Sequence, residues 1–132
     1  MSVDIIRVQA RLLEMAKQVT SILESHDIPY MLSYGTLLGA IRHQGFIPWD
    51  DDFDLFLFDD ESYENARVAL KNNLSEDLFL EDEDTEKKYF HAWSRVSCRK
   101  TIKHSDLYPL DNIYENQGLF LDLYRLKKIK CN

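Results

Sequence analysis

Residues 34–57 carry the sequence YGTLLGAIRHQGFIPWDDDFDLFL, and this stretch decides the fold. It opens on a glycine–threonine pair, Gly35 and Thr36, and it ends where acidic residues enter a run of Leu and Phe. Four carboxylates fall within five positions, at Asp50, Asp51, Asp52 and Asp54. Two unit charges about 4 Å apart repel by roughly 1 kcal/mol in water and by several times more near a protein interior. Hard cations such as Mg²⁺ bind carboxylate oxygens together with substrate phosphates, so we expect a divalent cation at the start of this strand.

The acids lead into a predicted strand at residues 52–58. Side chains alternate between the two faces of a strand, so Asp52 and Asp54 share one face. Both faces are apolar beyond Asp54, which predicts an interior strand that is covered on both sides. The residues before it predict a two-turn helix at 35–43 and a loop at 44–51.

A further acid, Asp122, lies within the segment GLFLDLYRL at residues 118–126, which is also predicted to be a strand. An unpaired charge inside an apolar strand costs on the order of several kcal/mol, so Asp122 needs a partner. We predict that Asp122 points toward Asp52 and Asp54 and that the three carboxylates hold one or two metal ions.

Periodicity predicts the remaining elements, which are helices at residues 3–25 and 61–73 and strands at 30–34 and 89–98. The acidic run at residues 81–86 is interpreted as a solvated loop. We therefore predict a single α+β (α/β) domain over residues 1–132, in which a small mixed β-sheet is flanked by helices.

Several residues around the acids are suited to an anionic substrate. Gly35 and Thr36 begin a helix, where free backbone N–H groups and the helix dipole favour phosphate. Arg42 follows two turns later on the same helical face, and it could contact an anionic group or anchor the acidic loop. Arg95 lies in a predicted strand, where it could neutralise phosphate or be a solvated arginine.

Composition excludes some function classes. The chain has 16 Lys and Arg against 23 Asp and Glu, a net charge of −7. This balance argues against nucleic-acid binding, which needs a basic surface. The two cysteines, Cys98 and Cys131, lie far apart and favour free thiols in a reducing compartment. No signal peptide or membrane span is visible, so we expect a cytoplasmic protein.

Residues 34–57 closely resemble the signature of the LicD family, which includes the fukutin-like proteins, and residues 118–126 resemble the strand that carries the family's third acid. These enzymes have a polymerase-β-type nucleotidyltransferase fold. They move a phosphoalkyl group, such as phosphocholine or ribitol phosphate, from a CDP-linked donor to a glycan. The resemblance therefore implies a phosphotransferase that depends on Mg²⁺ or Mn²⁺, with a CDP-linked donor and a glycan acceptor.

The resemblance also implies roles for individual residues. Asp52 and Asp54 match the metal-binding DxD pair, and Asp122 matches the third carboxylate and acts as a ligand or base. Gly35 and Thr36 match the turn that grips donor phosphate. We predict that three residues are both catalytic and metal-binding: Asp52, Asp54 and Asp122. The predicted substrate-binding residues are Gly35, Thr36, Arg42, Asp51 and Arg95. Two motif residues with less defined roles are expected to orient the neighbouring acids: Asp50 and Asp51.

The acidic segment also shares features with two other kinds of site. Asp50, Asp52 and Asp54, with Glu61 at the twelfth position, match part of an EF-hand calcium loop. Leu55 stands where that loop needs glycine, however, and the segment is strand-like. A nucleotide-sugar glycosyltransferase would show strand–helix units before its DxD, and none is present.

Two other functions stay open. One is a minimal nucleotidyltransferase that releases pyrophosphate from CTP or ATP, which a chain shorter than usual for the family favours. The other is a non-catalytic module that binds a nucleotide or a partner subunit. Homo-oligomer formation is left open as well.

Overall fold

The computed structural model describes residues 4–99, 101, 118–127 and 129 of the chain. Eight elements follow one another in these ranges: α1 (Ile5–Ser25), β1 (Tyr30–Leu32), α2 (Tyr34–His43), β2 (Asp54–Leu57), α3 (Asp60–Asn73), β3 (Leu78–Glu81), β4 (Ser94–Cys98) and β5 (Phe120–Arg125). The strands form one mixed sheet in the order β1-β2-β5-β4-β3. Only β2 and β5 pair in parallel among these neighbours. The α+β prediction is therefore confirmed.

Helix α1 supplies much of the core that supports the sheet. Its first turn is capped by Asp4, whose side chain accepts hydrogen bonds from the backbone N–H groups of Ile6 and Arg7. Its apolar stripe is buried, as helical spacing predicts: Leu12, Met15, Ala16, Val19, Ile22 and Leu23. The helix packs against α3 and β5. None of the helices in the described ranges is long and apolar enough to span a membrane.

The strands differ from the prediction mainly in length. β2 is interior, between β1 and β5, as its two apolar faces indicate. β4 begins only at Ser94, so residues 89–93 are irregular rather than strand. β3 was not predicted, because it is a short edge strand of four residues that directly follows a helix and a turn.

The prediction of a solvated loop at residues 81–86 is wrong, because the centre of this acidic run is buried. Asp82 is fully buried, and its Oδ2 accepts hydrogen bonds from Nε and Nη2 of Arg67 at 3.0 and 2.8 Å. Its Oδ1 accepts from the backbone N–H groups of Asp84 and Thr85. These donors lower the pKa of Asp82 although burial raises it. A guanidinium on α3 thus turns an acidic turn into part of the protein interior.

Helix α2 lies close against the loop that follows it, and Gly39 makes this approach feasible. A Cβ atom on Gly39 would lie 2.5 Å from the carbonyl oxygen of Gly45 and 2.8 Å from the backbone nitrogen of Ile47. Gln44 adopts a left-handed φ of 54° after the helix, and its N–H donates to the Gly39 carbonyl. The loop therefore folds back along α2 toward the acids.

Gly39→Ala is expected to destabilise the protein by about 2 kcal/mol, because the three atoms nearest to the new methyl group all belong to the backbone. Gly45→Ala is the matched control, since its Cβ would meet nothing nearer than 4.0 Å. Urea unfolding of the two variants measures the difference. Equal stability of the two variants would contradict the close packing of α2 on this loop.

Candidate functional site

Two carboxyl groups, those of Asp54 and Asp122, meet at the centre of the sheet. These residues are register partners on the parallel strands β2 and β5, and each is 8% exposed. Burial raises the pKa of Asp54 to about 7, and the charges of Asp122, Asp52 and Asp50 add to the effect. Negative charge is therefore concentrated where Asp54 and Asp122 meet.

Asp122 has the partner that its position in an apolar strand requires. Its Oδ1 accepts hydrogen bonds from Nε of Arg95 at 3.1 Å and from Nε1 of Trp93 at 2.9 Å. Burial raises the pKa of Asp122, and these two donors oppose the rise. Arg95 is 4% exposed and lies over the ring of Phe120, so the solvated alternative for this arginine is wrong. Its predicted contact with phosphate stays a prediction.

The acids before β2 form a second group, which we call the acidic loop (residues 47–52). Asp50, Asp51 and Asp52 each place one carboxylate oxygen within 4.8 Å of the other two. Asp51 and Asp52 are exposed, whereas Asp50 is half-buried and its Oδ1 accepts a hydrogen bond from the backbone N–H of Asp52. Carboxylate oxygens are the ligands that Mg²⁺ and Mn²⁺ prefer, so the chemistry of this donor set fits a hard divalent cation.

The start of α2 is joined directly to the start of β2. Thr36 is buried, and its Oγ1 accepts a hydrogen bond from the backbone N–H of Asp54 at 2.9 Å. The backbone N–H of Ser33 donates in turn to the carbonyl of Asp54. A Cβ atom on Gly35 would lie 2.8 Å from Oδ2 of Asp50, so glycine permits this carboxylate to reach the helix N-terminus. Gly35 and Thr36 therefore lie beside Asp50 and Asp54, and their predicted contact with a donor phosphate stays a prediction.

Arg42 lies in the last turn of α2 and is exposed. Its guanidinium forms no hydrogen bond or ion pair with any residue in the part of the chain that the structure describes. It therefore does not anchor the acidic loop there, and its contact with an anionic substrate stays a prediction.

The acidic loop is anchored by Gln9 of α1, a residue that the sequence did not single out. Nε2 of Gln9 lies 3.1 Å from the carbonyl oxygen of Ile47, 3.3 Å from that of Pro48 and 2.9 Å from that of Asp50. An isolated glutamine on an amphipathic helix carries no signal for such a role, because its partners are distant in sequence.

A row of aromatic rings lies next to the two carboxyl groups. Phe56 and Tyr124 are register partners, each two residues beyond Asp54 or Asp122, so they occupy the same face one step along the strands. The ring of Tyr34 lies 5.3 Å from that of Phe56 and 5.2 Å from that of Tyr124. We call Tyr34, Phe56, Trp93 and Tyr124 the aromatic row.

Trp93 and Tyr34 lie at the two ends of the contacts within the aromatic row and have distinctive features of their own. The ring of Trp93 lies 5.1 Å from that of Tyr124, and the indole nitrogen of Trp93 binds Asp122. Tyr34 has a φ of 49°, a left-handed conformation that is rare for a bulky residue and often marks a functional position. Strand spacing predicts none of these cross-element contacts.

Residues 27–129 match the family model described as "LicD/FKTN/FKRP, nucleotidyltransferase domain". The chain is 56% identical over 103 residues to the lipopolysaccharide cholinephosphotransferase LicD of Haemophilus influenzae, a match that covers 70% of this chain and 39% of the relative. It is 35% identical over 99 residues to the human ribitol 5-phosphate transferase FKRP, which covers 73% of this chain and 19% of the relative. An uncharacterized protein of Rickettsia prowazekii is 31% identical over 137 residues, with 90% of this chain and 46% of the relative covered. The chain thus spans less than half the length of each of these relatives.

Asp54→Asn is expected to change the pH dependence of stability. The pKa of the Asp54 carboxyl is ordinarily 3.8 and rises to about 7 in the folded protein. Between these two pH values the folded state therefore holds a proton that the unfolded state has lost, so the folded state loses stability as the pH rises. In EDTA the variant should exceed the wild type in free energy of unfolding by on the order of 2–4 kcal/mol at pH 8 and by much less at pH 4. Urea unfolding at both pH values measures this difference.

Asp51→Asn serves as the control for that measurement, because Asp51 is exposed and the same charge is removed. Its effect on stability should be small at both pH values. If the free energy of unfolding of Asp54→Asn does not rise relative to that of the wild type between pH 4 and pH 8, the buried pair of like charges is contradicted.

Proposed function

This chain belongs to the LicD/FKTN/FKRP nucleotidyltransferase-domain family, and on that premise we propose that it transfers a phosphoalkyl group from a CDP-linked donor to a glycan hydroxyl. The phosphoalkyl group is of the phosphocholine or ribitol phosphate type, the chemistry named for two of its relatives. The single observation that carries the proposal is the buried Asp54–Asp122 pair, which adjoins the acidic loop and the N-terminus of α2.

The carboxylates are suited to hold a divalent cation. Asp52, Asp54 and Asp122 would bind Mg²⁺ or Mn²⁺, as the family motif implies, and Asp50 and Asp51 would orient them. When bound, such an ion offsets the repulsion among these acids and neutralises charge on the donor phosphates. The N-terminus of α2 at Gly35 and Thr36 would hold a donor phosphate through backbone N–H groups.

Transfer requires one bond to form and one to break. An acceptor hydroxyl oxygen forms a bond to the phosphorus of the phosphoalkyl group, and the bond between that phosphorus and the oxygen of CMP breaks. In the alternative role of base, Asp122, whose pKa burial raises, would take the hydroxyl proton, and this role requires that its carboxylate does not bind the ion in that step. Arg95 and Trp93 hold the Asp122 carboxylate in place and would set its angle of approach.

The aromatic row favours phosphocholine over ribitol phosphate as the transferred group. Electron-rich rings of Trp and Tyr attract quaternary ammonium groups through their faces. Same-face residues on a strand are roughly 7 Å apart, so a headgroup attached to a phosphate at the carboxyl pair would reach the next row. Tyr34 is 62% exposed, which leaves its ring available to a ligand. An uncharged polyol would gain less from these rings.

Phosphorus NMR of the protein with Mg²⁺ tests the reaction class. CDP-choline, CDP-ribitol, CTP and ATP are supplied separately, each with a lipopolysaccharide acceptor, and Asp54→Asn is the inactive reference. CMP formation from a CDP-linked alcohol should fall by at least about a hundredfold in Asp54→Asn, because a group that meets developing charge is removed. Wild-type activity in that variant would rule out the proposed site. Release of pyrophosphate from CTP or ATP would instead identify a minimal nucleotidyltransferase. Binding of a nucleotide without turnover would identify a non-catalytic module.

Tyr34→Leu is expected to raise KM for CDP-choline by about tenfold, the range of a cation–π contact at a partly desolvated site. Tyr34→Phe keeps the ring and should keep KM close to that of the wild type. Steady-state kinetics with CDP-choline and with CDP-ribitol shows whether the rise in KM is specific to the choline donor or reflects damage to the whole site. An equal rise in KM for both donors in Tyr34→Leu would contradict recognition of the quaternary ammonium by this ring.

A further inference from the structure

Gln9 of α1, which the family resemblance does not include, binds the acidic loop. Gln9 donates from Nε2 toward the carbonyl oxygens of Ile47, Pro48 and Asp50, at 3.1, 3.3 and 2.9 Å. The backbone N–H of Asp50 also closes a turn onto the Ile47 carbonyl at 2.9 Å. Gln9 therefore binds both ends of the turn that leads into the acids.

The path from Gln9 to the acids is short. Asp50, whose carbonyl accepts from Gln9, also accepts the backbone N–H of Asp52 at its Oδ1. Its other carboxylate oxygen lies against Gly35 at the start of α2. Displacing the Asp50 backbone would therefore move two of the three clustered carboxylates.

We infer that Gln9 is a positioning residue for the acidic loop and that α1 is part of the metal-binding apparatus. The segment that matches the family model begins at residue 27, so this role lies outside the matched domain. The predicted effect of Gln9 on Mg²⁺ binding rests on the proposed metal site. The anchoring of the acidic loop by Gln9 concerns the protein without metal.

The contact requires an uncharged donor. Three carbonyl oxygens converge on a single amide nitrogen, and a carboxylate in its place would meet them without a hydrogen to donate. Because energetic coupling between two sites is reciprocal, a cation that orders the acidic loop also stabilises the docking of the N-terminal half of α1.

Calorimetric titration of the whole chain with MgCl₂ tests the effect on metal binding. Gln9→Ala should bind Mg²⁺ about tenfold more weakly than the wild type, the usual range when a group behind the metal ligands is removed. Gln18→Ala is the matched control, because Gln18 lies on the same helix and bonds Ser75 instead of the acidic loop. Its Mg²⁺ affinity should equal that of the wild type.

Gln9→Glu separates positioning from charge. An added carboxylate near the acids would strengthen Mg²⁺ binding by Coulomb attraction alone, whereas loss of the donor predicts weaker binding. Weaker binding in Gln9→Glu supports the inference, and tighter binding overturns it.

Amide hydrogen exchange in EDTA tests the structural half without any metal. Residues 44–53 should exchange several-fold faster in Gln9→Ala than in Gln18→Ala, and equal exchange would overturn the inference. Adding Mg²⁺ should slow exchange in the first turns of α1 in the wild type but not in Gln9→Ala. Absence of Mg²⁺ binding in the wild type would overturn the proposed metal site, and the comparison in EDTA would still decide whether Gln9 holds the loop.

Discussion

Repulsion between the carboxyl groups of Asp54 and Asp122 is the constraint on which the rest of the site depends. Two acids opposite each other on buried strands cannot both be charged without compensation. The protein provides part of it through Arg95 and Trp93, which both bind one oxygen of Asp122. Among the residues that the structure describes, no cation bonds to Asp54, and burial together with the neighbouring acids raises its pKa. The imbalance makes the Asp54 side of the pair the natural place for an external positive charge.

The acids are held in place from three directions, and each contact acts on the backbone. Thr36 fixes the start of β2 through the N–H of Asp54. Gln9 fixes the turn before it through three carbonyl oxygens. Gly39 lets the intervening loop return along α2. These anchors fix the acids through backbone atoms rather than through their carboxylate oxygens, and a site that handles phosphate needs such preorganisation.

Short-range patterns predicted the elements that meet at this site. Alternation in residues 52–58 identified the interior strand, and the isolated charge of Asp122 required a partner that the structure supplies. Contacts between distant segments were beyond such patterns, because periodicity is local. Arg67 turns the acidic run around Asp82 into a buried cluster, and no feature of that run reveals the arginine. The contacts of Gln9 and of the Trp93 indole also join distant segments, so local patterns do not predict them. The edge strand β3 was missed for another reason, because its four residues are too few to show alternation.

The parallel pairing of β2 with β5 also bears on how the chain folds. The two strands come from well-separated parts of the sequence, and β5 pairs with β4 on its other side. Non-local pairings of this kind form slowly, because loop-closure entropy is spent before any contact compensates it. Like charges on Asp54 and Asp122 oppose the same step. We therefore expect the carboxyl pair to come together late in folding, so that an unfinished chain would expose separated aspartates in place of the buried pair.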